Sequence, residues 1–214
     1  FINRDSKLTG ATGRAAIQKN RSEGQLCVQV MEGTTVTCQG GYKAAGIGGS
    51  WATRNIAESL FNLDMYGHGA NMHFGSQTNP SLWSGTIIAK GGDGGAGIGG
   101  GCWKSLQDMD GDTAAYNINI YGGKINAHGG YNGAGIGGGQ YVPARDITIT
   151  GGEITAHGTH GAAIGGGRWC HGQNITVTDA KLKLTTGYSR YISDEAAAMG
   201  YGDCVYLERY TIST

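Results

Sequence analysis

The chain has 214 residues, of which 42 are glycine and only two are proline. Glycine without a Gly-X-Y period excludes collagen, and 39% hydrophobic residues exclude an intrinsically disordered chain. Basic and acidic residues number 16 each, so the excess of basic residues typical of nucleic-acid-binding domains is absent. No apolar stretch is long enough to span a bilayer. We therefore expect a folded chain with neither a nucleic-acid partner nor a membrane span.

A glycine turn with the pattern Ala-Gly-Ile-Gly-Gly recurs along the chain and divides it into similar units. Four clear copies lie between two degenerate copies, one near each end of the chain. The turns are at residues 15–18, 45–49, 96–100, 134–138, 163–166 and 197–200. No Gly-Lys-Ser/Thr follows a turn, so the glycines indicate corners of the backbone rather than a phosphate-binding loop. Extra residues follow the turn in two units, at 51–84 and 102–115.

Short segments with alternating apolar and polar residues flank these turns. One set precedes the turn, at 35–38, 86–89, 124–127, 153–156 and 181–184, and a second set precedes the next unit, at 26–30, 117–120, 146–149 and 174–177. A period of two is typical of half-buried strands, which bury their apolar face only when coils stack. The sequence therefore predicts one all-β domain over residues 1–214. It would be a single-stranded, right-handed parallel β-helix (a β-solenoid) of about six coils with loop insertions.

An aromatic residue follows the glycine turn in unit after unit: Trp51, Trp103, Tyr141 and Trp169, with Tyr201 at the last turn. Rings aligned in this way could bind sugar rings through their flat faces, or could only pack against loops. Basic residues lie near them in the sequence, at Arg54, Lys104, Arg145 and Arg168. Their roles could be recognition of acidic or sulfated sugars, cation–π contact, or simple solvation.

Three further groups could bind metal or form a crosslink. His128 and His157 align in a polar column with Gln39, Lys90 and Thr185, which is either a metal site or a plain polar ladder. Asp108, Asp110 and Asp112 resemble the first half of a calcium loop, although Thr113 replaces its usual glycine, so an ordinary acidic turn is the alternative. Cys170 and Cys204 fall at nearly equivalent positions and could form a disulfide, whereas Cys38 aligns with core alanines.

The strand and Gly-Ala-Gly-Ile-Gly-Gly-Gly pattern, as at residues 133–139, resembles glycine-rich repeats of bacterial secreted and cell-surface proteins. In architecture it also resembles the pectin-lyase-like β-helix superfamily, which includes polysaccharide lyases, glycoside hydrolases, phage tailspikes and adhesins. The resemblance implies a secreted or cell-surface protein with a polysaccharide or glycoprotein glycan as partner. It assigns no catalytic residue, since no paired carboxylates or nucleophile motif can be recognised.

Three hypotheses follow. The leading one is a non-catalytic glycan-binding or adhesion module that uses the aromatic and basic residues, with calcium as the one cofactor the sequence suggests. The second is a polysaccharide-active hydrolase or lyase. The third is a structural solenoid that self-assembles into a fibre or stalk.

Overall fold

The computed structural model describes residues 1–19, 23–51, 68–103, 114–187 and 196–203. Within these residues the chain forms strands, turns and bends, and no helix is long and apolar enough to cross a membrane. The strands belong to three parallel sheets, and each coil of the chain passes through the sheets in turn. The segments in which apolar and polar residues alternate therefore form strands whose apolar residues face the interior.

Sheet 1 contains the strands that precede the glycine turns. In spatial order they are β1 (Ser6–Thr9), β4 (Thr35–Gln39), β7 (Thr86–Lys90), β10 (Lys124–His128), β13 (Gly152–Gly158) and β16 (Ala180–Thr186). Sheet 2 is formed by the turns themselves: β2 (Ile17–Gln18), β5 (Ile47–Gly48), β8 (Ile98–Gly99), β11 (Ile136–Gly137), β14 (Ile164–Gly165) and β17 (Met199–Gly200). Sheet 3 contains β3 (Leu26–Val28), β6 (Gly69–Phe74), β9 (Ala115–Ile120), β12 (Ala144–Ile149) and β15 (Gly172–Val177).

Equivalent residues of successive coils pair in register. Ile98 pairs with Ile136, which pairs in turn with Ile164, so the isoleucine of each glycine turn lies above that of the previous coil. These side chains are fully buried, and they form one core with inward residues of the other two sheets. Cys38 pairs with Ala89 and is completely buried, which confirms its predicted place in the core.

The glycines of the turns allow neighbouring coils to approach closely. A Cβ atom on Gly97 would lie 2.7 Å from both the carbonyl oxygen of Gly135 and the amide nitrogen of His128. Gly99 and Gly137 in addition have φ of 131°, a conformation that side chains rarely adopt. Close approach between coils therefore requires glycine at these corners.

A column of Asn and Asp residues bends sheet 3 at the same place in successive coils. Asn71, Asn117, Asp146 and Asn174 all have φ between 52° and 56°, in the left-handed region that Asn and Asp tolerate best. The Asn117 amide donates to Asn71 Oδ1 at 2.6 Å, and the Asn174 amide donates to Asp146 Oδ1 at 2.9 Å. Side chains of the column thus form hydrogen bonds to each other between successive coils.

Two strands were absent from the sequence prediction. Gly69–Phe74 lies within the predicted insertion 51–84 but forms β6, in which Met72 and Phe74 are fully buried. Its Asn71-Met72-His73-Phe74 segment has the pattern of 117–120, so the signal was present. The first coil also begins earlier than predicted, with β1 at Ser6–Thr9. Residues 56–65, whose sequence could form a short helix within the insertion 51–84, lie outside the described residues.

Candidate functional site

Three of the predicted aromatic residues lie in adjacent coils on one side of the stack. The backbone amides of Trp103, Tyr141 and Trp169 each donate to a carbonyl of the following coil. The acceptors are Gln140, Arg168 and Asp203, at 2.9, 3.3 and 2.8 Å. All three aromatic side chains are half-buried, so each keeps part of its ring at the surface.

The rings of Tyr141 and Trp169 stack on each other. Their centroids are 4.8 Å apart and the interplanar angle is 10°. Both residues have left-handed backbone, with φ of 62° and 66°, which is a rare conformation for bulky side chains. Such backbone costs on the order of 1–3 kcal/mol per residue and concentrates at functional sites. The same costly conformation therefore recurs in consecutive coils at the two rings that stack.

Arg168 places a positive charge against this ring pair. Its guanidinium carbon lies 4.1 Å from the centroid of the Trp169 ring, within the range of a cation–π interaction. Its Nη1 donates to Asn132 Oδ1 at 3.2 Å, and its Nε lies 3.9 Å from Asp203 Oδ2. We call Tyr141, Arg168 and Trp169 the stacked-ring site.

Asp203, in the coil that follows Trp169, is buried next to the site. Its side chain is 1% exposed, and its Oδ2 lies 3.0 Å from Nδ1 of His160, which is also buried. The backbone amide of Asp203 donates to the carbonyl oxygen of His160 at 2.7 Å. The ring of Tyr131, which is 57% exposed, packs edge-on against His160. The carboxylate thus contacts two groups of the preceding coil, His160 and Arg168.

Hydrogen bonds extend this buried polar group toward the preceding coils. The amide of Asn132 donates to Gln140 Oε1 at 3.4 Å, and the thiol of Cys102 lies 3.7 Å from the same oxygen. Burial raises the pKa of Cys102 to about 11, so the thiol is protonated at neutral pH and donates. Together with His160 and Asp203, polar side chains from four coils therefore support the residues that carry the aromatic rings.

Trp51 belongs to a separate cluster in the first two coils. Its amide donates to the carbonyl oxygen of Gly13 at 3.0 Å, and its ring packs against Tyr42 at a centroid distance of 6.2 Å. The ammonium of Lys43 lies 4.6 Å from the centroid of the Trp51 ring. Lys43 also has left-handed backbone, with φ of 63°. A cation over an aromatic ring therefore recurs here, from a lysine that the sequence prediction did not include.

A comparison of the sequence with models of known families agrees with the fold seen in the structure. Four segments of the chain match the family model described as a beta helix repeat, at residues 30–51, 83–102, 118–140 and 147–168. Each segment contains one glycine turn. This chain is a right-handed parallel β-helix. No curated protein and no solved structure matches the chain.

Of the predicted basic residues, Arg145 and Arg168 are described, and they contact different parts of the β-helix. The guanidinium carbon of Arg145 lies 4.6 Å from the centroid of the Tyr116 ring, and its Nη1 lies 3.6 Å from Asp146 Oδ2. Both contacts are on sheet 3, whereas Arg168 contacts Trp169 directly. Arg145 therefore makes its contacts with sheet 3, apart from the stacked rings.

Several predicted residues lie outside the described part of the β-helix. They are Arg54, Lys104, Asp108, Asp110, Asp112 and Cys204. Cys170 is described and buried, but its pairing with Cys204 stays a prediction, as does calcium binding. Within the described ranges, no group of three or more His, Cys, Asp or Glu side chains could hold a metal ion.

The polar column predicted on sheet 1 is present in the β-helix. Gln39, Lys90, His128, His157 and Thr185 pair in that order. The ring centroids of His128 and His157 are 6.0 Å apart, and His157 Nδ1 lies 2.9 Å from the Thr185 hydroxyl. Burial, and then the nearby His157 and Lys90, lower the pKa of His128. The column is a ladder of polar side chains that disfavours positive charge on His128.

We expect His128 to make the β-helix less stable in mild acid. Because its pKa is lower in the folded than in the unfolded state, the unfolded chain binds the proton more readily. The stabilising contribution is complete above the unfolded pKa of about 6.5 and is lost as the pH falls through the folded value. Urea unfolding between pH 8 and pH 5 should show a smaller loss of stability in His128→Gln than in wild type. His171→Gln is the control, and a wild-type acid dependence in His128→Gln would contradict the assignment.

Sequence reasoning missed the residues that support the rings, although their positions repeat. Asn132 and His160 occupy the same place in consecutive turns, two residues before Ala134 and Ala162. The residues directly before Trp103, Tyr141 and Trp169 are likewise aligned between coils: Cys102, Gln140 and Arg168. Comparing these polar positions between coils would have indicated a polar group beneath the rings.

Proposed function

We propose that this β-helix is a non-catalytic glycan-binding module, secreted or displayed at a cell surface, that serves in adhesion. The observation that carries the proposal is the left-handed backbone shared by Tyr141 and Trp169. A bulky residue in this conformation lowers stability, and glycine would avoid that cost. Retention of aromatic rings at such positions fits a role for the rings beyond packing.

The stacked-ring site offers the chemistry that a sugar needs. Half-buried aromatic rings present apolar surface to the C–H groups of a sugar ring, and Arg168 offers hydrogen-bond donors to hydroxyl, carboxylate or sulfate oxygens. The buried contacts from Asp203 and Asn132 restrict the motion of Arg168 before a ligand arrives. A site held in this way loses little side-chain entropy on binding. The partner would be a polysaccharide or the glycan of a glycoprotein.

The test is a glycan array followed by calorimetric titration of the strongest ligand. The informative variant is Trp169→Gly, because glycine adopts φ of 66° without strain while the whole side chain, with its ring, is removed. We expect affinity to fall about tenfold or more, since a lost aromatic contact costs roughly 1–3 kcal/mol. We expect the melting temperature to stay close to that of wild type.

The matched control is Trp83→Ala, because Trp83 stacks on Phe1 at a distance from the site. This variant should bind as wild type does. Undiminished binding by Trp169→Gly, or an array on which wild type binds nothing, would refute the proposal.

A further inference from the structure

Charge is distributed unevenly over the outward face of sheet 1. Five of the chain's eight lysines lie on this face, although the whole chain has no net charge. They are Lys7 on β1, Lys90 on β7, Lys124 on β10, and Lys181 and Lys183 on β16. All five are exposed. We call this surface the lysine face.

Strand register shows that these lysines share one surface. Lys7 pairs with Thr37, Lys90 with His128, and Lys124 with Thr86 and Glu153. Lys181 and Lys183 pair with Glu153 and Thr155. On β7 and β10 the residues between are buried, as Ile87 and Ile125 are, whereas Leu8 on β1 and Leu182 on β16 are each 37% exposed. At strand spacings of about 4.8 Å, the face from β1 to β16 is roughly 24 Å long.

Acidic residues leave most of this charge uncompensated. Glu153 lies on the face, and its Oε1 is 3.4 Å from Lys181 Nζ. Asp5, at the edge, accepts a hydrogen bond from the backbone amide of Thr35 at 2.7 Å. Among the described residues, no salt bridge is formed by the ammonium groups of the other four lysines. The face therefore attracts anions over its whole length.

We propose that the lysine face binds a linear sulfated glycan, independently of the stacked-ring site. An extended polyanion lying along the stack could contact lysines of several coils at once. The described strands of the face carry lysine and no arginine, and lysine acts as a compact point charge rather than a planar partner for carboxylates. This favours a chain with dense sulfate esters over one with single carboxylates. Single-stranded nucleic acid would need aromatic stacking residues, and the six described strands of the face contain no Phe, Tyr or Trp.

Dextran sulfate and unmodified dextran are suitable probes because they differ only in sulfation. We expect wild type to bind dextran sulfate and not dextran, with affinity falling steeply as salt rises. Lys124→Gln with Lys183→Gln should weaken binding about tenfold at low salt. The same double variant should lower the slope of log affinity against log salt by about one for each lysine.

The control removes the same charge elsewhere, through Arg14→Gln with Lys19→Gln, and should bind as wild type does. Trp169→Gly should also bind dextran sulfate normally, which separates this result from failure of the stacked-ring site. Equal weakening in both double variants, or no binding of dextran sulfate by wild type at low salt, would overturn the proposal. Equal or tighter binding of polygalacturonate or of single-stranded DNA would overturn the assignment to sulfated glycans.

Discussion

Replacing Gly97 with alanine is expected to destabilise the β-helix by about 1–3 kcal/mol. The added methyl group would lie 2.7 Å from backbone atoms of Gly135 and His128, in the next coil. A side chain could rotate away from such a clash, but these backbone atoms also form hydrogen bonds between coils. The carbonyl oxygen of Gly135, for example, accepts a hydrogen bond from the amide of Ile98 at 3.0 Å. Urea unfolding followed by circular dichroism measures the loss.

The control for this prediction is Gly122→Ala. A Cβ atom on Gly122 would have one neighbour, Pro80 Cβ at 4.0 Å, and its φ is not in the left-handed region. We expect a change within about 1 kcal/mol, on the stabilising side, because alanine restricts the unfolded chain. A similar loss in both variants would show that glycine content itself, and not close approach of coils, determines stability.

Replacing Asp203 with alanine is expected to cost about 2–4 kcal/mol. The substitution leaves His160 without its partner at 3.0 Å and leaves Arg168 without the carboxylate at 3.9 Å. His160 is buried and cannot turn to solvent without opening the turn. Unfolding midpoints in urea measure the effect, and Asp203→Asn should lose less because its side-chain oxygen can still accept a hydrogen bond.

Glu153→Ala is the surface comparison for Asp203. Glu153 pairs with Lys181 at 3.4 Å, but their side chains are 53% and 84% exposed, so solvent screens the pair. We expect a change below about 1 kcal/mol. If Glu153→Ala and Asp203→Ala changed stability equally, burial of the Asp203 carboxylate would not explain its effect.

Repetition made the coil architecture predictable from the sequence. Because Ile98, Ile136 and Ile164 each follow the same alternating strand, aligning the repeats gives the inter-coil register directly. The strand β6 was missed because its coil contains extra residues on both sides of Gly69–Phe74. Where spacing between repeats is irregular, periodicity alone does not show which segment pairs with the coil below.

The candidate site was only partly predictable. Position after the turn identified Tyr141 and Trp169, since equivalent residues of a solenoid lie above one another. Their left-handed backbone and the distance from Arg168 to Trp169 depend on how the coils pack, which residue order does not specify. Asp203 joins the site only after the chain has completed another coil.

The unequal lengths of the coils have a consequence for how the chain tolerates added sequence. Partners in regular coils, such as His157 and Thr185, are 28 residues apart, whereas Gln39 and Lys90 are separated by 51. Closing a loop costs only about 0.6 kcal/mol more for each doubling of its length, so the longer coil closes at an extra cost below that value. Segments can therefore be lengthened between strands at little thermodynamic cost, while a single residue inserted within a strand would turn its apolar face outward. Variation in length is in this way confined to the surface, and the stacked core keeps one fixed spacing.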